Sequence, residues 1–135
     1  MEVILDSNVL FKMLISRGNI FEVFFHPDLR IIAPERLLIE LERNYAEIAR
    51  KSKLSETELE EAKSDLLLKI NFVNNYNYRN LFTAAGELLK GHTKDEDFVA
   101  LHLLTRSKIW TYEDRLFKMG VAISTKEIAD KLKKE

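Results

Sequence analysis

A three-layer α/β/α sandwich around one parallel sheet, filling residues 1–135 as a single domain, is the fold class this sequence predicts. Two patterns and the bulk composition predict it. Short apolar runs of strand length recur at Val3 to Leu5, Arg30 to Ala33, Ile70 to Val73, Lys108 to Tyr112 and Val121 to Ile123, with helix-patterned segments between them. The first run is apolar at consecutive positions, as a strand covered on both faces is. A hydrophobic content of 46% with four Gly and two Pro in 135 residues is that of one compact, mostly regular unit.

Each element has a local reason. Ser7 to Leu14 switches to helical spacing through Val9, Leu10, Met13 and Leu14, so Asp6 sits where a buried strand ends and a helix begins. Asn19 to Phe25 reads as a short helix rich in phenylalanine, which is either core or an apolar interface for a second copy or a partner peptide. Pro34 is placed as the first residue of a helix running to about Lys51, since a missing N–H costs nothing there. Leu37, Leu38, Leu41, Tyr45 and Ile48 give that helix its apolar side. Ser55 to Glu58 is a capping box opening a helix through Leu68. After the third strand comes a polar turn, Asn74 to Asn77, and a helix from Tyr78 to Lys90 that stops at Gly91. Thr93 and Glu96 form a capping-box pattern ahead of a nearly all-apolar helix, Phe98 to Leu104. Asp114 to Lys118 is a brief helix, and Ser124 to Glu127 a further capping box for the last one. The Lys131 to Lys134 stretch is expected to be a solvated helix end.

Composition excludes several classes of function. A net charge of −1 is not that of a strongly basic nucleic-acid module, so an anionic substrate must be met by a local patch or a metal. The absence of cysteine removes disulfides, zinc–thiolate sites and thiol nucleophiles together. No apolar run reaches membrane-spanning length, and the expected setting is the cytoplasm.

The acids fall in a pattern. Asp6 ends the first strand, Glu40 lies on the helix after the second, Asp95 and Asp97 open the buried helix, and Glu113 and Asp114 follow the fourth strand. In a parallel sheet these positions lie near one carboxyl edge, where ligands of open α/β folds bind. Two like charges about 5 Å apart at an effective dielectric near 20 repel by roughly 3 kcal/mol. Such a cluster requires a cation or a shared proton, and oxygen-only donors fit Mg²⁺ or Mn²⁺. Each acid also has an ordinary structural explanation. Asp6 can cap its helix, Glu40 can pair with Arg36 and Arg43, Asp95 suits a first helical turn, and Glu113 or Asp114 can be a turn residue or cap. Arg36, Arg43 and Arg50 recur every seven residues beside Glu40, placed either to meet a phosphate backbone or to pair with Glu40 and Glu47. Tyr76, Tyr78 and Trp110 are candidates for base stacking or for the core, and His92 and His102 lack partners at metal-ligand spacing.

The segments ILDSNVL, IIAPERLLIEL, KDEDFVALHLL and IWTYEDRLFKMGVAI, in this order, resemble the PIN domain ribonucleases, including the VapC toxins of toxin–antitoxin pairs. That resemblance covers essentially the whole chain. It implies a PIN-like fold and a Mg²⁺- or Mn²⁺-dependent endoribonuclease acting on single-stranded RNA. The implied divalent-metal site is built from Asp6, Glu40, Asp95 and Asp114, with Ser7, Asn8 and Thr111 as polar supports. Glu113 and Asp97 stand beside Asp114 and Asp95 as alternative metal contacts, and the spacing from Thr111 slightly favours Glu113. It further implies a homo-oligomer, a dimer, and a possible antitoxin protein as partners. Two other classes are weighed against it. Aspartate phosphotransfer fits poorly, because Asn8 stands where a haloacid-dehalogenase-type phosphatase needs a second Asp and asparagines follow the third strand where a receiver domain needs its own. A non-catalytic dimerisation or scaffold module would use the same acids only as caps and ion pairs.

Overall fold

The structure is a computed structural model and describes residues 1–134. Its strands are β1 (Glu2–Leu5), β2 (Arg30–Pro34), β3 (Ile70–Val73), β4 (Lys108–Trp110) and β5 (Ala122–Ile123). The helices are α1 (Ser7–Ser16), α2 (Ile20–Phe24), α3 (Arg36–Lys51), α4 (Glu56–Lys69), α5 (Phe82–Leu89), α6 (Glu96–Thr105), α7 (Asp114–Lys118) and α8 (Thr125–Lys133). All strand pairings are parallel, in the order β3-β2-β1-β4-β5. The predicted parallel α/β sheet is therefore the fold observed.

The central strand shows why its sequence is apolar throughout. Val3, Ile4 and Leu5 are all fully buried, and since successive strand residues point to opposite faces, both faces of the sheet are covered. α1 packs against α3 and α4, while α6 lies across β1, β2 and β4 with α5 against it. Burying each such Leu, Ile or Phe is worth about 1.5–3 kcal/mol, so this double-sided core is the main source of stability. Phe24 belongs to it, its ring tilted against Trp110 at 6.3 Å, whereas Phe25 is partly exposed at its edge.

The chain turns outward from β1 to β2 and β3, then returns to add β4 and β5 on the other side. This reversal puts a crevice at the carboxyl end of β1, beside β4. The register Leu5↔Trp110 then sets the next two residues, Asp6 and Thr111, side by side there, with the Asp6 N–H donating to the Trp110 carbonyl at 3.0 Å.

Four local expectations are corrected. Pro34 ends β2 rather than starting a helix: its pairing with Val73 extends the ladder and holds residue 34 extended, a conformation its ring tolerates. The fourth strand stops at Trp110, because residues 111–113 turn to point polar groups into the crevice. The helix expected from Tyr78 begins only at Phe82. Ahead of it lie two 3₁₀ turns, 75–77 and 79–81, the first capped by the Asn74 side chain, which accepts from the Tyr76 N–H at 2.9 Å. Thr93 and Glu96 do not form a capping box; residues 93–95 make a 3₁₀ turn that runs into α6 without a side-chain cap. The boxes at Ser55 and Ser124 do form, and α5 ends with Lys90 and Gly91 at positive φ, where glycine is at ease.

Candidate active site

The site begins with Asp6, which performs two tasks at once. One carboxylate oxygen caps α1 by accepting the Ser7 N–H at 2.8 Å, and the other accepts the Thr111 hydroxyl at 2.7 Å. Thr111 in turn accepts from the Asn8 amide at 3.2 Å and from the Glu113 N–H at 3.0 Å, and the Asn8 carbonyl oxygen accepts the Tyr112 N–H at 3.3 Å. This clasp ties the first turn of α1 to the residues after β4. It fixes the Asp6 carboxylate and the course of the chain to Glu113.

Asp95 and Glu113 complete the cluster. Oxygens of Asp6, Asp95 and Glu113 lie within 4.8 Å of one another, brought from three separate parts of the chain. Asp95, at the start of α6, makes no side-chain cap, and its carboxylate faces those of Asp6 and Glu113. Neither Glu113 nor Asp114 caps α7. The Arg115 guanidinium bridges the two later acids, its Nη2 donating to Asp95 at 3.1 Å and to Glu113 at 2.5 Å. Sequence reasoning missed Arg115. The signal available was a single cation directly after two adjacent acids, ordinary in itself, and only the fold shows that it also reaches Asp95, twenty residues before it.

Burial and like charge set the electrostatics. Asp6 is 3% exposed, and this burial pushes its carboxyl up to about 6 despite the hydrogen bonds from Thr111 and Ser7. Asp95 is also raised, first by burial and then by the negative charges of Asp6 and Glu113, with Arg115 opposing. Glu40 is raised by burial, partly offset by the Ser7 hydroxyl and Arg36. Charge repulsion anticipated from the sequence is thus answered in two ways, by a guanidinium of the chain itself and by a bias toward protonation.

The other predicted residues divide between near and far. Glu40 is half-buried at the border of the cluster, its Oε1 3.7 Å from Arg36 Nε, and its raised carboxyl feels the charge of Asp95. Asp97 faces away, accepting the Tyr78 hydroxyl at 2.8 Å. Asp114 stands apart as well, with a side chain 80% exposed and paired with Lys118 at 3.0 Å. Of the arginine stripe, Arg36 reaches the border of the site, while Arg43 is exposed and Arg50 pairs weakly with Glu47. Trp110 is buried and donates to Thr125, Tyr78 is buried, and Tyr76 is exposed under the Arg79 guanidinium. His102 is structural, its Nδ1 2.7 Å from the Ser107 carbonyl oxygen.

The donor set fits a hard divalent cation. It consists of three carboxylates from different elements, with no thiol in the chain, and the place between two of them suits a cation because a guanidinium already sits there. Fold and site together define an α/β protein with an acidic, oxygen-donor centre at the topological switch point of its sheet. A family model described as PIN domain matches residues 4–133, and the chain belongs to this family, whose members are generally nucleases that use divalent metals. No curated protein matches the chain. Among the described residues, no helix is long and apolar enough to cross a membrane.

Proposed function

We propose that this chain is a metal-dependent endoribonuclease that hydrolyses phosphodiester bonds of single-stranded RNA. The observation that carries the reading is the convergence of Asp6, Asp95 and Glu113 within 4.8 Å at the switch point of a PIN domain. These three residues would hold Mg²⁺ or Mn²⁺, which when bound neutralises charge on the phosphoryl oxygens and acidifies a water molecule. Thr111 and Asn8 keep Asp6 and Glu113 in place, and Ser7 supports both Asp6 and Glu40. Glu40, raised by its burial, accepts the proton of the attacking water. The water oxygen bonds to phosphorus as the bond to the leaving oxygen breaks, and that oxygen is reprotonated from solvent. Arg36, beside Glu40, orients the phosphate.

The finer expectations are a VapC-like toxin, an antitoxin partner, a homodimer and a cytoplasmic setting. They rest on the resemblance of the four sequence segments to PIN ribonucleases and on the absence of a membrane-spanning helix among the described residues. The test is cleavage of end-labelled single-stranded RNA with Mg²⁺, Mn²⁺ or EDTA, by wild type, Asp6→Asn and Asp95→Asn. Cleavage should require the metal and disappear in both variants. Metal-independent cleavage would overturn the metal-dependent reading, and a wild type that does not cleave and whose unfolding temperature Mn²⁺ does not move would overturn it in favour of a scaffold module.

A further inference from the structure

Beside the acidic cluster opens a second cavity, a cleft of about 360 Å³ lined by Glu35, Arg36, Ile39, Asn75, Phe82 and Asp97 among others. That volume lies at the lower end of small-ligand sites, roughly 300–1,000 Å³. Its chemistry is distinct from that of the metal centre. Two carboxylates face it, and each is held by one neighbour. The Tyr78 hydroxyl donates to Asp97 Oδ2 at 2.8 Å, and the Asn74 amide donates to Glu35 Oε1 at 2.7 Å. Each carboxylate keeps its second oxygen for an incoming donor. Ile39, 44% exposed, and Phe82 supply apolar wall on which a flat ring can lie.

Two carboxylates in one cleft favour a ligand edge that carries hydrogen-bond donors, and Arg36 on its wall is left for a phosphate. Arg36 joins this cleft to the metal centre, because the side chain that lines it also lies 3.7 Å from Glu40. A strand whose base enters the cleft thus carries its backbone past a guanidinium toward Asp6, Asp95 and Glu113. Among nucleobases, guanine alone presents adjacent N–H donors, N1–H and the N2 amine, with no acceptor between them. Adenine and cytosine each set a ring acceptor next to their amine, and uracil flanks its one N–H with carbonyl oxygens. We propose that the cleft is a nucleobase subsite that takes a guanine of the substrate strand by its Watson–Crick edge, with Asp97 and Glu35 as acceptors. This inference rests on the ribonuclease reading above and adds the base specificity of that site.

The experiment uses synthetic single-stranded oligouridines carrying one guanosine, one inosine or one adenosine, with Mg²⁺ or Mn²⁺, and compares kcat/KM at the bonds next to that base. Wild type should prefer guanosine to adenosine by about tenfold or more, the discrimination typical of a good bidentate base contact. Inosine, which lacks the N2 amine, should fall between them. In Asp97→Asn and in Glu35→Gln the guanosine-to-adenosine ratio should collapse to within about twofold. A loss of packing alone would slow all three substrates equally and leave the ratio untouched, and exposed Glu35 provides a variant that keeps the fold if Asp97→Asn does not. Cleavage by wild type that ignores the base, or a ratio retained in both variants, would overturn the subsite while leaving the ribonuclease reading standing. A wild type that binds neither metal and cleaves none of the three would overturn both.

Discussion

Replacing Asp6 with Asn should make the metal-free protein more stable at neutral pH. The Asp6 carboxyl lies at about 6 instead of its ordinary 3.8, with burial as the first cause. At about 1.4 kcal/mol per pH unit, holding it ionised in the folded state costs roughly 3 kcal/mol. The sign follows from proton linkage. The native state binds the proton more tightly than the unfolded chain, so the contribution of this group to stability falls as pH rises from about 4 to about 6, and the full penalty stands above that window. Asn removes the charge and keeps an oxygen for the Ser7 N–H, but gives up the acceptor of the Thr111 hydroxyl, a loss of about 1 kcal/mol. Urea unfolding in EDTA should therefore show the variant about 2 kcal/mol more stable than wild type at pH 7.5, and equal or slightly less stable at pH 4. Mn²⁺ at a hundred times its Kd should add about 2.7 kcal/mol to wild type and little to the variant. A variant that is less stable at both pH values by the same amount would refute the reasoning, since Asp6 would then be a helix cap and nothing more.

Four further substitutions have expected outcomes. Thr111→Val removes the hydroxyl that serves Asp6, Asn8 and Glu113; unfolding curves should show a loss of about 1–3 kcal/mol. Calorimetric titration of the same variant should give Mn²⁺ affinity about 10–100-fold weaker. Glu113→Gln should weaken that affinity at least about tenfold, whereas exposed Asp114→Asn should leave it within about twofold and stay within about 0.5 kcal/mol of wild-type stability. The reverse pattern would move the ligand to Asp114. Arg115→Gln leaves Asp95 and Glu113 without their bridge, so its metal-free unfolding should come about 1–2 kcal/mol earlier. Its gain on adding Mn²⁺ should exceed that of wild type, because the ion no longer displaces a guanidinium; an equal gain would show that Arg115 and the ion do not compete.

Local pattern in the sequence was enough to determine the element order, the parallel sheet and the location of the acids at strand ends. These features depend on near neighbours: consecutive apolar residues at Val3 to Leu5, helical spacing after Ser7, capping boxes at Ser55 and Ser124. Where the sequence misled, a distant contact overrode a local preference. Pro34 has the chemistry of a helix start, yet pairing with Val73 thirty-nine residues on keeps it in the sheet. Thr93 and Glu96 have the spacing of a capping box, and the turn there instead leaves Asp95 facing Asp6.

Choice among the acids was decided by the tertiary structure, the spacing from Thr111 only slightly favouring Glu113 over Asp114. Glu113 and Asp114 are adjacent and chemically alike, and so nearly are Asp95 and Asp97. The Thr111 hydroxyl holds the backbone of residue 113 and brings Glu113 to Asp6, while Asp114 is left outside on the exposed face of α7. Tyr78, buried ahead of α5, draws Asp97 away into the second cleft. The same holds for Arg115, whose partners lie in separate elements. Side-chain type and spacing along the chain determine which groups are available, but a carboxylate's role depends on distances of a few ångströms, and those are set only when β1, β4 and the start of α6 pack together.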